Sequence, residues 1–311
     1  MTDFVTDSVT DSSSEAHSLR PGTLYLVGTP IGNLEDITFR ALRALKQADL
    51  IAAEDTRHTG KLLHHFQVTT PQISYHAHNT QQRIPQLVQK LQDGSAIALV
   101  TDAGMPGISD PGYELVCVCV EAGITVVPIP GPSAVVTAIA AAGLPCDRFV
   151  FEGFLPVKGK QRHARIEALK TEPRTSVFYE SPHRLVKTLA DLVETLGADR
   201  PVVLARELTK RYEEFWRGTL KAALNHYQKT TPKGEFTLLL SPAIATFSLS
   251  RTEVETELKS LLAQGKSRTE ASRNLSKNSS LSKREIYQIS LEIDIYSVLH
   301  DKSEVEDPPL D

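Results

Sequence analysis

The chain has 311 residues, 41% hydrophobic and 23% charged, with a formal net charge of -4, an ordinary globular composition with material for two or three domains. Its longest apolar stretch, residues 134–144, falls well short of the roughly 18 residues of a membrane span, so a soluble, cytoplasmic protein with no membrane partner is expected. Three cysteines, Cys117, Cys119 and Cys146, are an odd number in a long chain. They are read as reduced thiols of the core, not as disulfides or a metal site.

Residues 1–21 hold Asp3, Asp7, Asp11 and Glu15 with no apolar run, and read as a disordered acidic tail, not a signal peptide. From 22 to 146 short apolar runs alternate with helical patterns: LYLVG, then a helix from Thr38; LIAAED; ISYH; a helix from Asn79; AIALVTD; a helix over 113–122; ITVVPIPG; a helix from Ser133. This rhythm predicts a parallel α/β domain. From 147 to 245 the runs FVFEGF, TSVFYE, VVLAREL, EEFWRG and EFTLLLS continue, with a helix over 183–196. Too few residues separate VVLAREL from EEFWRG for a crossover helix, so this second α/β domain is expected to hold a mixed sheet. Over 250–299 the pairs Thr252–Glu255, Ser267–Glu270 and Ser282–Glu285 read as three capping boxes and hence three short helices. The acidic, proline-bearing end, 300–311, reads as disordered.

Charge is unevenly distributed. With the acidic ends set aside the body is basic, and the excess gathers in two places: Lys158, Lys160 and Arg162, and Lys266, Arg268, Arg273, Lys277, Lys283 and Arg284. These are expected to contact nucleic-acid phosphates, although a solvated helix face has the same pattern.

Ligands of an open parallel sheet bind outside the carboxyl ends of its strands. Here the loops at those ends are rich in glycine and proline: Gly28-Thr29-Pro30-Ile31-Gly32, Glu54-Asp55-Thr56-Arg57, the stretch from Asp102 to Gly112, and Pro130-Gly131-Pro132-Ser133. The first does not fit the spacing of a dinucleotide fingerprint. Gly265-Lys266-Ser267 lacks the strand and the earlier glycine of a phosphate-binding loop.

The strings VGTPIGNLEDIT, AEDTRHTGKLL, VTDAGMPGISDPG, PIPGPSAVVTAIAAAGLP, FEGFLPVKGKQR, FYESPHRL and ARELTKRYEE resemble the bacterial ribosomal RNA small-subunit methyltransferase I family. The resemblance implies the tetrapyrrole-methylase fold, two α/β domains enclosing S-adenosylmethionine, followed here by the three-helix segment. It also implies 2'-O-methylation of a cytidine in the decoding region of 16S rRNA, within the small ribosomal subunit, by a homodimer. By the same resemblance the methyl donor should touch Thr29, Pro30, Asp102, Ala103, Gly104, Ser109 and Ser133, with Tyr179, Glu180 and Ala205 from the second domain. No metal is required.

The ribose hydroxyl needs a base or an orienting charge. Glu54 and Asp55, assisted by Arg57, are the catalytic expectation, because neighbouring side chains of a strand point oppositely and one acid can face the cleft. A capping salt bridge among the three is an equal alternative. Asp102, Glu180 and Glu207 are the next acids; Arg184, Arg206 and Lys210 are further cations. A tetrapyrrole or diphthine-type methyltransferase of the same fold and a non-catalytic RNA-binding module are the competing functions.

Overall fold

The structure, a computed structural model, describes residues 18–243, 251–276, 279 and 281–293. Of the tails expected at 1–21 and 300–311, residues 1–17 and 300–311 lie outside these residues. At Arg20 the main-chain N–H donates to the Tyr25 hydroxyl at 2.7 Å, so the chain is already pinned there. Two compact units form, residues 1–242 and residues 243–311.

The first unit begins with the strand-helix alternation legible in the sequence: β1 (Thr23–Val27), α1 (Phe39–Gln47), β2 (Leu50–Ala53), α2 (Thr56–His65), β3 (Gln72–Ser74), α3 (Thr80–Gln92), β4 (Ile97–Val100), α4 (Tyr113–Glu121), β5 (Thr125–Ile129) and α5 (Ala134–Ala142). The five strands make one sheet, ordered β3-β2-β4-β1-β5 and parallel at every pairing. Apolar residues on both faces explain the unbroken hydrophobic runs. One face buries Ile51, Ala98 and Val100 with Ala41 and Leu45 of α1. The other buries Leu24, Ile97 and Leu99 with Leu87, Leu91 and Leu115.

The chain continues as β6 (Phe149–Phe154), α6 (Gly159–Ala168), β7 (Thr175–Glu180), α7 (Pro182–Leu196), β8 (Pro201–Arg206), β9 (Glu214–Thr219), α8 (Leu220–Lys229) and β10 (Phe236–Leu240). The second sheet is ordered β6-β7-β10-β8-β9. It is mixed: β6 and β7 are parallel, while the other pairings, including the β8–β9 hairpin, are antiparallel. One of its faces packs on α6, α7 and α8 through Ile166, Leu189 and Leu224.

The opposite face is covered by α5, not by a helix of its own stretch of chain. Val135, Ala138, Ile139 and Ala142 pack on Val177, Val203, Ala205 and Leu239. Burying Val135 and Ile139 in this way contributes roughly 1.5–3 kcal/mol each. Arg217 of β9 then donates to the carbonyls of Ala141 and Ala142 at 2.6 and 3.2 Å, a cation at the negative end of the helix. A division of the chain at residue 146 would assign α5 to the first sheet, but its packing ties the two sheets together.

The second unit holds α9 (Arg251–Ala263), α10 (Arg268–Leu275) and α11 (Lys283–Glu292) around Val254, Leu258, Ala271 and Ile286. Ser282 and Glu285 form a complete capping box, and Ser267 accepts from the Glu270 N–H. Thr252 corrects the sequence reading. It lies inside α9, so its spacing to Glu255 is an ordinary helical i,i+3 relation. Among the described residues no helix is long and apolar enough to cross a membrane.

Candidate active site

At the carboxyl end of the first sheet, the loops after β1 and β4 fasten to each other. The Thr29 N–H donates to the Gly104 carbonyl at 2.9 Å, and the Gly104 N–H returns to the Thr29 carbonyl at 3.1 Å. The Thr29 hydroxyl donates to the Thr101 carbonyl at 3.0 Å. The loop after β5 comes equally close: a Cβ on Gly131 would stand 2.7 Å from the Gly28 Cα. Such approach requires glycine on both sides.

These loops and the strand ends of the second sheet enclose a cleft of about 290 Å³. From the first sheet come Ile31, Ala103, Gly104, Met105, Ile108, Ser109 and Asp110, with Ser133 and Ala134 where α5 begins. Tyr179, Glu180, Ala205, Leu208 and the 235–237 stretch face them. Most of this wall is apolar, with a few convergent hydroxyl, carboxylate and main-chain groups, the usual make-up of a small-molecule site.

Of the residues expected to hold the donor, Ala103, Gly104, Ser109, Ser133, Tyr179, Glu180 and Ala205 line the cleft. Thr29, Pro30 and Asp102 do not. Thr29 is buried behind the wall as the clamp described above, Pro30 is buried beside it, and Asp102 accepts from the Asp55 N–H at the end of β2. Sequence reasoning missed Asp110 and the apolar wall of Ile31, Met105 and Ile108; glycine and proline drew attention to the loop but not to its side chains.

The group Glu54, Asp55 and Arg57 lies off the cleft wall. Asp55 caps α2, accepting from the Arg57 N–H at 2.8 Å, and its carboxylate is held by the Arg57 guanidinium at 2.8 Å. That bond keeps the Asp55 carboxyl well below its ordinary range, so the capping salt bridge is realised for these two. Beyond the end of β2, the Glu54 Oε2 accepts from the Asp102 N–H at 3.3 Å. Burial, with Asp102 and Asp55 nearby, raises its pKa against the opposing pull of that bond and His76.

The remaining acids differ. Glu180 accepts from the Ser181 N–H at 2.9 Å and the Thr188 hydroxyl at 2.6 Å, with Arg184 at 3.4 Å, and so anchors the start of α7. Burial pushes Glu207 up, but bonds from Lys210 and the Glu235 N–H outweigh it and hold the carboxyl low. Asp110 is pushed up to about 6 by burial and by the charges of Glu54 and Asp102.

Lys158 and Lys160 are exposed at the start of α6. Arg162 corrects the sequence reading: it is 6% exposed, and its guanidinium is taken up by Asp191 at 2.7 Å, Thr188 at 3.0 Å and the Pro156 carbonyl at 3.0 Å. Its charge is satisfied inside the protein and does not join the basic surface. In the second unit Arg273, Lys283 and Arg284 are exposed, while Lys266 and Arg268 are half-buried; Lys277 lies outside the described residues. Of the thiols only Cys119 is buried, and Cys146 is exposed, so a core role holds for the first alone. Among the described residues no set of three His, Cys, Asp or Glu could hold a metal ion.

Residues 23–224 match the family model described as Tetrapyrrole (Corrin/Porphyrin) Methylases. The uroporphyrin-III C-methyl transferase of Thermus thermophilus, solved with S-adenosyl homocysteine, shares the fold at a TM-score of 0.53 and 18% identity, over 72% of this chain and 100% of that one. The fold and cleft thus define a methylase of the tetrapyrrole class. Ribosomal RNA small subunit methyltransferase I of Synechocystis is 54% identical over 275 residues, 88% of this chain and 99% of that protein. The Thermotoga maritima protein of the same name is 50% identical over 220 residues, 71% of this chain and 98% of that protein. The chain belongs to the ribosomal RNA small subunit methyltransferase I family.

Proposed function

We propose that the chain transfers the methyl group of S-adenosylmethionine to the ribose 2'-hydroxyl of a cytidine in the decoding region of 16S rRNA, in the cytoplasm, on the small ribosomal subunit. The observation that carries this reading is the 54% identity to the Synechocystis methyltransferase over 99% of its length. The cleft residues fit the donor chemically. Ala103 and Gly104 offer main-chain groups, with Gly104 held at φ +82. Ser109, Ser133 and Tyr179 offer hydroxyls, and Glu180 and Ala205 close the far side. Thr29, Pro30 and Asp102 shape this wall from behind.

The donor supplies an already activated methyl on a sulfonium, so the protein must align it with the hydroxyl and manage one proton. Within the Glu54, Asp55 and Arg57 group, Glu54 reaches the loop that walls the cleft and acts there through its charge. Lys158, Lys160, Lys266, Arg268, Arg273, Lys277, Lys283 and Arg284 contact phosphates and position the RNA without reading its sequence. Exposed Tyr113 and Val120 on α4, beside the edge strand β5, support a second copy of the chain across that edge.

Tritiated methyl transfer separates the readings. Label should appear on ribose of the small subunit at a nuclease-resistant linkage. Label on a porphyrinogen and not on RNA would establish the tetrapyrrole alternative, and RNA binding without any transfer the non-catalytic one.

A further inference from the structure

The cleft wall offers few groups able to take a proton, and most are already committed. Glu180 is held by Ser181, Thr188 and Arg184, and Glu235 is paired with Lys210 at 2.7 Å. Burial pushes the Tyr179 hydroxyl up to about 12, so it stays protonated. Asp110 stands on the same wall. Among the described residues no donor or cation reaches its carboxylate. Its place is set by a stiff loop: Ser109 before it adopts φ +64, a region a serine rarely enters, and the Gly107 N–H donates to the Pro111 carbonyl at 3.2 Å.

We infer that Asp110 is the catalytic residue that takes the proton of the attacking ribose hydroxyl. The inference rests on the methyl transfer proposed above and deepens it. The ribose O–H bond breaks, and its proton passes to a carboxylate oxygen of Asp110. The oxygen forms its bond to the methyl carbon as the carbon–sulfur bond breaks. The sulfonium leaves as a neutral thioether, and Asp110 returns the proton to water afterwards.

Glu54 and Asp102 are positioning residues. Each is held by main-chain N–H groups, Glu54 by Asp102 at 3.3 Å and Asp102 by Asp55 at 3.2 Å, and their charges face Asp110 from the end of β2 and the start of its own loop. Tyr179 faces it from β7. Burial, with the charges of Glu54 and Asp102, brings Asp110 to about 6, close to the working range of a general base. Below that value the carboxyl is protonated and accepts nothing; above it the base is ionised. The single-turnover rate should therefore climb as pH rises through about 6 and then level off.

The test uses the full chain with small subunits and tritiated donor. Asp110→Asn keeps size and loses the base. It should bind donor within about threefold of wild type by calorimetry, while single-turnover methylation falls at least about a hundredfold and the acidic limb of the pH profile disappears. In wild type, carbon-13 NMR of labelled aspartate should show a carboxyl titrating near 6 that is missing from the variant. Glu54→Gln removes one repelling charge, so its acidic limb should shift to lower pH. Near wild-type methylation by Asp110→Asn would overturn the inference. So would donor affinity that falls in step with rate, which would make Asp110 a donor-binding group. A hundredfold loss in Glu54→Gln would give the proton to Glu54 instead. If wild type labels no ribose, the proposed function falls and the inference with it.

Discussion

Arg162 shows what a single residue's surroundings do to its charge. In sequence it belongs to a basic run with Lys158 and Lys160, and such a run reads as one solvated face. Yet Arg162 and Ile166 are four apart, a spacing that puts both on one side of a helix, and Ile166 is a core residue of the second sheet. That spacing was the available signal. Arg162→Ala should cost about 2–3 kcal/mol, less than the loss for a fully buried pair because Asp191 retains solvent exposure; thermal unfolding should fall by several degrees. Its RNA affinity and salt slope should stay unchanged, whereas Lys158→Ala with Lys160→Ala should leave stability alone and lower the slope by about one for each phosphate no longer neutralised. An Arg162→Ala protein with normal stability and a reduced slope would reverse the assignment. Asp110 was illegible for a related reason: its relation to Glu54 joins positions far apart in the chain, and only the parallel pairing of β2 with β4 brings them together.

At the level of elements, much was legible because the sheet imposes a strong pattern. Strands buried on both faces read as LYLV, LIAA and IALV, and the mixed sheet followed from one connection too short to cross over. What the strings could not convey is where each element packs. The helix α5 follows the first sheet in sequence but covers the second, and β10 comes last in its sheet but lies at its centre. Thr252 illustrates a different failure: a Ser/Thr three residues before Glu occurs inside helices as readily as at their starts, and only the backbone conformation separates the cases. The close loops allow a sharp test. Gly131→Ala places a methyl against the Gly28 main chain, which has no side chain to move aside. The substitution should destabilise the unit by about 1–3 kcal/mol and weaken donor binding, because the loops after β1 and β5 must separate. Normal melting and normal donor affinity in that variant would mean the loops are free to part.

For the whole molecule, the division at Pro242 is the feature to test. The Thermotoga relative is almost wholly matched by 220 residues, a length that fits within the first unit, residues 1–242. A chain ended after residue 243 should therefore fold cooperatively and bind S-adenosylmethionine with near-native affinity by calorimetry. Its RNA affinity should weaken and depend less on salt, since it lacks Lys266, Arg268, Arg273, Lys277, Lys283 and Arg284. A shortened chain that cannot bind donor would show that the helices complete the fold. The central place of β10 also constrains the order in which the protein can be made. While the chain is being synthesised, β7 can pair with β6 and β8 with β9, but each keeps one apolar open edge until Phe236 to Leu240 has followed. The first sheet needs nothing beyond Ile129 to pair all its strands. A ribosome stalled between the two stages would thus display a finished N-terminal sheet beside two strand pairs whose open edges are prone to aggregation. The cleft would still lack residues 235–237 of its wall, so the capacity to bind the methyl donor should appear late and abruptly in translation.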